Sequence, residues 1–239
     1  MSVELEILDD PARGCAALMV GAALGDGHIV LTGGSTPRTA YGHFVAAVRT
    51  VGIDVSNTTF WMGDERCVDP DDERSNFRMI KESLLDPLGS DNQPVFHRMK
   101  GELGPRDGAA DYEHILREAG PPEFDLVLLG IGPDGHCASL FPGQDTLSER
   151  ARPVVGVREA GLEPFVPRIS LTLPALSGGR HVAFLAAGES KAPAIAAAFG
   201  PDAQPDPSVP SSMLAPDAKL ISVLVDPAAA AELRTGARR

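Results

Sequence analysis

A chain of 239 residues, 43% hydrophobic and 23% charged, has the composition of a globular protein and the length of one large α/β domain over residues 1–239. At that size a core can bury roughly 70–75% of the surface the extended chain exposes. The formal net charge of −12 excludes a broad electrostatic surface for nucleic acid or anionic lipid, so an anionic ligand requires a local cationic site.

With nine Phe, two Tyr and one Trp, the core must be filled mainly by Val, Leu, Ile and Ala. Cys15, Cys67 and Cys137 are scattered without metal-ligand spacing, which fits reduced thiols and predicts no metal centre. There is no basic-then-apolar leader pattern and no apolar run long enough to cross a bilayer. A cytoplasmic protein without membrane partners is expected, and the lack of an apolar heptad favours a monomer.

Apolar residues at helical spacing predict a first helix over 10–24, packed on a sheet. A strand over 28–32 runs into Gly33-Gly34-Ser35-Thr36-Pro37 and a helix from about Thr36 to Val48. Pro37 suits a first helical turn and Ser35 or Thr36 can cap it, so backbone N–H groups and the helix dipole would form an anion site. A second strand over 58–62 ends in Gly63-Asp64-Glu65-Arg66, three charges in succession. Residues 69–75 read as a polar loop, with Ser75 capping a helix near 77–85. A loop over 87–94 and a helix over 105–119 follow, and Pro121-Pro122 marks a connection. His97 and His114 read as surface histidines.

The most informative stretch begins at Asp125. Leu126-Val127-Leu128-Leu129 reads as a strand buried on both faces, and Gly130-Ile131-Gly132-Pro133-Asp134-Gly135-His136 forces a tight turn where it leaves the sheet. Ligands of open α/β sheets bind outside the carboxyl ends of the strands, which puts Asp134 and His136 where chemistry is expected. Gly132 and Gly135 permit close backbone approach.

Further strands are predicted over 153–157, from Arg168 until a proline stop at Pro174, and over 181–187. Gly188-Glu189-Ser190-Lys191 opens an Ala-rich helix to about Phe199, residues 200–210 form an aperiodic loop, and 219–225 is a last strand. Asp226-Pro227 starts a short terminal helix. Alternation of strands and helices predicts an α/β fold with a doubly wound, mostly parallel, Rossmann-like sheet.

These residues resemble the 6-phosphogluconolactonase family, within the superfamily that also holds glucosamine-6-phosphate deaminase. The resemblance rests on five motifs in order: Gly33 to Pro37; Asp64-Glu65-Arg66 with Ser75-Asn76; Gly130 to His136 with Ala138-Ser139-Leu140-Phe141-Pro142; Pro167 to Thr172; and Gly188 to Lys191. It implies hydrolysis of 6-phosphoglucono-1,5-lactone to 6-phosphogluconate, the second step of the oxidative pentose phosphate pathway, without a cofactor. Gly34, Ser35, Thr36, Arg168 and Lys191 are then expected to hold the phosphate. His136 is expected to activate water, and Asp134 to orient its ring or stabilise its charged form. Arg66 is expected near the lactone or the phosphate, as an oxyanion donor or as a partner of Asp64 or Glu65.

The deaminase branch carries a glutamate just after the histidine, where Phe141 stands here, and tends to have tyrosine where Arg66 stands. Phenylalanine cannot move a proton, so both departures favour the lactonase. A deaminase or isomerase of amino sugar phosphates and a non-catalytic sugar-phosphate sensor are the alternatives. Cys137 beside His136 is a conceivable nucleophile, but adjacent residues seldom have suitable geometry.

Overall fold

A computed structural model describes residues 2–120 and 123–233. Its frame is a seven-stranded parallel sheet of β1 (Ser2–Ile7), β2 (His28–Leu31), β3 (Thr59–Met62), β5 (Val95–His97), β6 (Leu126–Leu129), β9 (Val182–Ala186) and β10 (Leu220–Val225), in the order β1-β10-β9-β6-β2-β3-β5. β6 lies in the centre with all four residues buried. From β2 the chain builds outward through β3 to β5, whereas from β6 it builds the other way through β9 to β10. The order therefore reverses between β2 and β6, and loops leaving these two strands diverge to open a crevice.

A second, antiparallel sheet of β4 (Asp64–Arg66), β8 (Arg168–Leu171) and β7 (Val154–Val157) stands beside the carboxyl end of β3. The three charges after β3 form its β4 strand, and one expectation is corrected: the segments at 153–157 and 168–171 pair with each other and with β4 instead of joining the parallel sheet. Leu173–Ser177 then forms α6, a helix with Pro174 in its first turn, at the expected proline stop.

The helices follow their apolar periodicity. α1 (Pro11–Ala23) buries Cys15, Ala16, Met19 and Ala23, and α2 (Ser35–Val51) buries Ala40, Tyr41, Phe44, Val45 and Val48. Each large side chain so buried contributes roughly 1.5–3 kcal/mol. α3 (Asn76–Ile80) widens into a π-turn over Lys81–Leu85 before the short α4 (Asp86–Leu88). α5 (Gly104–Glu118) packs on the small sheet, and α7 (Ala192–Phe199) follows a 3-10 turn over Glu189–Lys191.

β1 and β5, the two edge strands, lie outside the elements read from the sequence. His97, expected at the surface, ends β5 and stacks on Trp61 with ring centroids 4.1 Å apart. Burial, and the neighbouring His28, hold its pKa below the usual imidazole value. His114 is exposed as expected. The expected terminal helix is a run of turns over 227–233, although Asp226 does cap it by accepting from Ala229 N at 2.7 Å.

Candidate active site

Two buried tyrosines fix the strand ends that border the crevice. Tyr41 on α2 donates its hydroxyl to Thr32 O (2.7 Å) and accepts from Thr32 N (3.0 Å), pairing both backbone groups where β2 gives way to the glycine turn. Tyr112 on α5 does the same for Met62 at the end of β3, accepting from its N at 2.8 Å and donating to its O at 3.2 Å. Neither backbone group can then be claimed by water, so the turns that follow start from fixed points.

The turn after β6 folds back on itself. Gly132 N donates to His136 O at 2.8 Å, and Gly135 N to Gly132 O at 3.0 Å. The ring of His136 lies so close over Gly132 that a Cβ there would overlap Nδ1 and Cε1. Asp134 Oδ1 sits 2.5 Å from His136 Nδ1, which fixes the ring and leaves Nε2 as the nitrogen free of the carboxylate. Burial works against the charged form of Asp134, but the hydrogen bond and charge of His136 outweigh it and hold the carboxyl below the usual carboxylate range.

The cavity above these strand ends, of about 250 Å³, is lined by Gly34, Ser35, Thr36, Arg66, His136, Arg168 and Lys191 among others. Of the eight residues expected from the sequence, only Asp134 is set back from it, behind the imidazole. Gly34 is the N-cap of α2, and neither Ser35 nor Thr36 supplies the side-chain cap that was expected. The uncapped first turn therefore faces the cavity with its own amide groups, the arrangement of a helix N-terminus that takes up an anion.

The cations are partly engaged by the protein itself. Lys191 Nζ donates to Ile131 O at 2.8 Å, and burial holds its pKa below the ordinary lysine value against the opposing charge of Asp134. Arg168 is buried in β8, with Nε donating to Val166 O (3.1 Å) and Nη2 to Pro164 O (2.8 Å), and its guanidinium lies 6.0 Å from the centroid of the Phe141 ring. Arg66 Nη1 donates to Arg74 O at 2.5 Å while its Nε is buried without a partner. The Arg66 guanidinium forms no ion pair with Asp64 or Glu65.

Those two acids are occupied elsewhere. The buried Glu65 carboxylate accepts from Arg66 N, Asn76 N, Phe77 N and Ser75 Oγ at 2.6–3.0 Å, closing the start of α3 onto β4. Burial raises its pKa against these hydrogen bonds. Asp64 accepts from Ser139 Oγ at 2.7 Å and Asn76 Nδ2 at 3.2 Å, which joins the small sheet to the segment after His136. Asp64 and Asn76 also line the cavity, with Leu162 and Glu163. A buried acid directly after a strand was the available signal for Asp64; nothing local marks Glu163.

Phe141 is buried with its ring centroid 4.6 Å from that of His136. Cys137 is wholly buried, and burial pushes its thiol pKa far up, so it is no nucleophile. Among the described residues no group of three or more His, Cys, Asp or Glu is placed to hold a metal ion, and no helix is long and apolar enough to cross a membrane.

Residues 13–223 match the model of the family described as glucosamine-6-phosphate isomerases/6-phosphogluconolactonase. The chain belongs to this family. Among its relatives in the glucosamine-6-phosphate isomerase/6-phosphogluconolactonase family, a 6-phosphogluconolactonase of Streptomyces coelicolor is 38% identical over 190 residues, 74% of this chain and 72% of the relative. A 6-phosphogluconolactonase of a Synechocystis species is 33% identical over 231 residues, 93% of this chain and 92% of the relative. The structure of a monomeric glucosamine-6-phosphate deaminase superposes with a TM-score of 0.82 at 17% identity, covering 97% of this chain and 100% of that one. That likeness is one of fold.

Proposed function

We propose that this chain hydrolyses the cyclic ester of 6-phosphogluconolactone to 6-phosphogluconate, with His136 as general base. The carrying observation is the 2.5 Å contact of Asp134 Oδ1 with His136 Nδ1, which turns Nε2 into the proton acceptor at the cavity. The buried phenyl ring of Phe141 against that imidazole argues against the isomerase and deaminase chemistry of the sister branch, because no carboxylate stands there to move a second proton. The lactonase relatives that span most of the chain support the same reading.

In the proposed reaction His136 Nε2 takes a proton from water as the water oxygen bonds to the lactone C1. The carbonyl oxygen becomes an oxyanion, for which the Arg66 guanidinium in the cavity wall supplies the positive charge. Collapse breaks the bond from C1 to the ring oxygen, which receives the proton from the imidazolium. Asp134 stabilises that imidazolium while it exists. The phosphate is held by the first-turn amides and hydroxyls of Ser35 and Thr36, with the remaining N–H groups of Lys191 and Arg168 supplying charge. We place the enzyme in the cytoplasm, acting on its small-molecule substrate as a monomer.

Acid release from 6-phosphogluconolactone, with spontaneous hydrolysis subtracted, tests the reading. The parent protein should turn over, and His136→Ala should bind 6-phosphogluconate yet lose about 10²–10⁴-fold in kcat. Ammonia release from glucosamine 6-phosphate, or an unchanged rate in the variant, would overturn it.

A further inference from the structure

The aperiodic loop between α7 and β10 contains a built support for the His136 turn. Gly135, the residue between Asp134 and His136, has φ of +79°, and its carbonyl accepts from Ser211 N at 3.0 Å. Val209 covers its other side: a Cβ on Gly135 would lie 2.8 Å from Val209 Cγ1 and 3.1 Å from Val209 Cα. The turn is therefore clasped by a segment more than 70 residues away in sequence.

That segment is itself locked. Val209 N donates to Asp206 O (2.8 Å), Asp206 N to Ser212 Oγ (2.9 Å), and Ser212 Oγ to Val209 O (2.8 Å). Ser211 and Ser212 are buried, while Asp206, Pro207 and Ser208 are exposed, so the lock ties the surface end of the loop to the interior. Lys191 Nζ on Ile131 O holds the same turn nearer its start. Local hydrogen bonds within 132–136 shape the turn, and the contacts of Val209 and Ser211 tie its tip to a distant segment of the chain.

We infer that residues 206–212 are the positioning element of the catalytic turn, with Val209 a positioning residue that sets the alignment of His136 through Gly135. This rests on the role proposed for His136. Truncating Val209 opens space beside Gly135, and the Asp134–His136 pair can then tilt as a unit without losing its own hydrogen bond. Misplacing a reacting group by about 1 Å costs up to about 10²-fold in rate. The phosphate grip lies on other elements, so substrate binding should be spared.

The test is steady-state kinetics of Val209→Ala, Val209→Thr and Ser212→Ala on 6-phosphogluconolactone, with His136→Ala in the same assay. Val209→Ala should lower kcat about 10- to 100-fold with KM within about twofold, and should displace the acid limb of the pH profile of kcat. Val209→Thr keeps the branched shape and should restore most of kcat. Ser212→Ala, which undoes the lock at a distance from Gly135, should shift kcat in the same direction as Val209→Ala. A parental kcat and pH profile in folded Val209→Ala, while His136→Ala is inactive, would overturn the inference and leave the role of His136 standing. Full turnover by His136→Ala would overturn that role, and the inference with it.

Discussion

Gly33 and Asn76 compete for the same space: a Cβ on Gly33 would overlap the side-chain amide oxygen of Asn76 and lie 2.6 Å from its Cγ. Asn76 cannot easily withdraw, because its Nδ2 donates to both Asp64 O (3.0 Å) and Asp64 Oδ1 (3.2 Å) and its N to Glu65. Gly33→Ala should therefore displace the turn before α2, destabilising the protein by about 1–3 kcal/mol and raising KM for the phosphorylated lactone. Removing the obstruction in Gly33→Ala/Asn76→Ala should recover part of the KM loss. Denaturant unfolding and a double-mutant cycle on KM measure both effects.

Tyr41→Phe removes one oxygen that serves two buried backbone groups of Thr32. Leaving a buried polar group unpaired costs about 1–3 kcal/mol. Urea unfolding should show a loss in that range with no change in m-value, since the phenyl ring still fills the core.

Asp134→Asn tests the pair through pH. The folded carboxyl titrates below its ordinary value, so it contributes stability in full above the unfolded pKa of ~3.9 and loses it as pH falls through the folded value. The stability gap between parent and variant should close as pH falls below about 4. At neutral pH kcat should fall on the order of 10²–10⁴-fold, because the amide no longer stabilises the imidazolium.

Lys191→Met tests the phosphate grip. Loss of a charge-assisted hydrogen bond, about 1.5–3 kcal/mol, should raise KM for the phosphorylated lactone about 10- to 100-fold. KM for the corresponding unphosphorylated gluconolactone should change little. Burial lowers the lysine pKa, so in the parent KM should begin to rise with pH below the range of an ordinary lysine. Initial rates over an alkaline pH series, corrected for spontaneous hydrolysis, show this directly.

The sequence by itself determined the parallel sheet and the turns at its carboxyl edge. Four consecutive apolar residues in β6, and glycines within two residues of the ends of β2 and β6, carry that information locally, through two-sided burial and backbone freedom. Ser35, Thr36, His136 and Lys191 were legible because they follow strand ends, whereas Leu162 and Glu163 of the same cavity were not. Tertiary structure alone decided which strand each segment joins. The apolar run of β7 looks the same whether it pairs in parallel or lies antiparallel to β8. It also decided that Asp64 and Glu65 are buried and fully engaged, that His97 lies against Trp61, and that Val209 and Ser211 clasp Gly135. Burial and hydrogen-bond partnership belong to the packed neighbours of a residue, and those neighbours stand dozens of positions away in the chain.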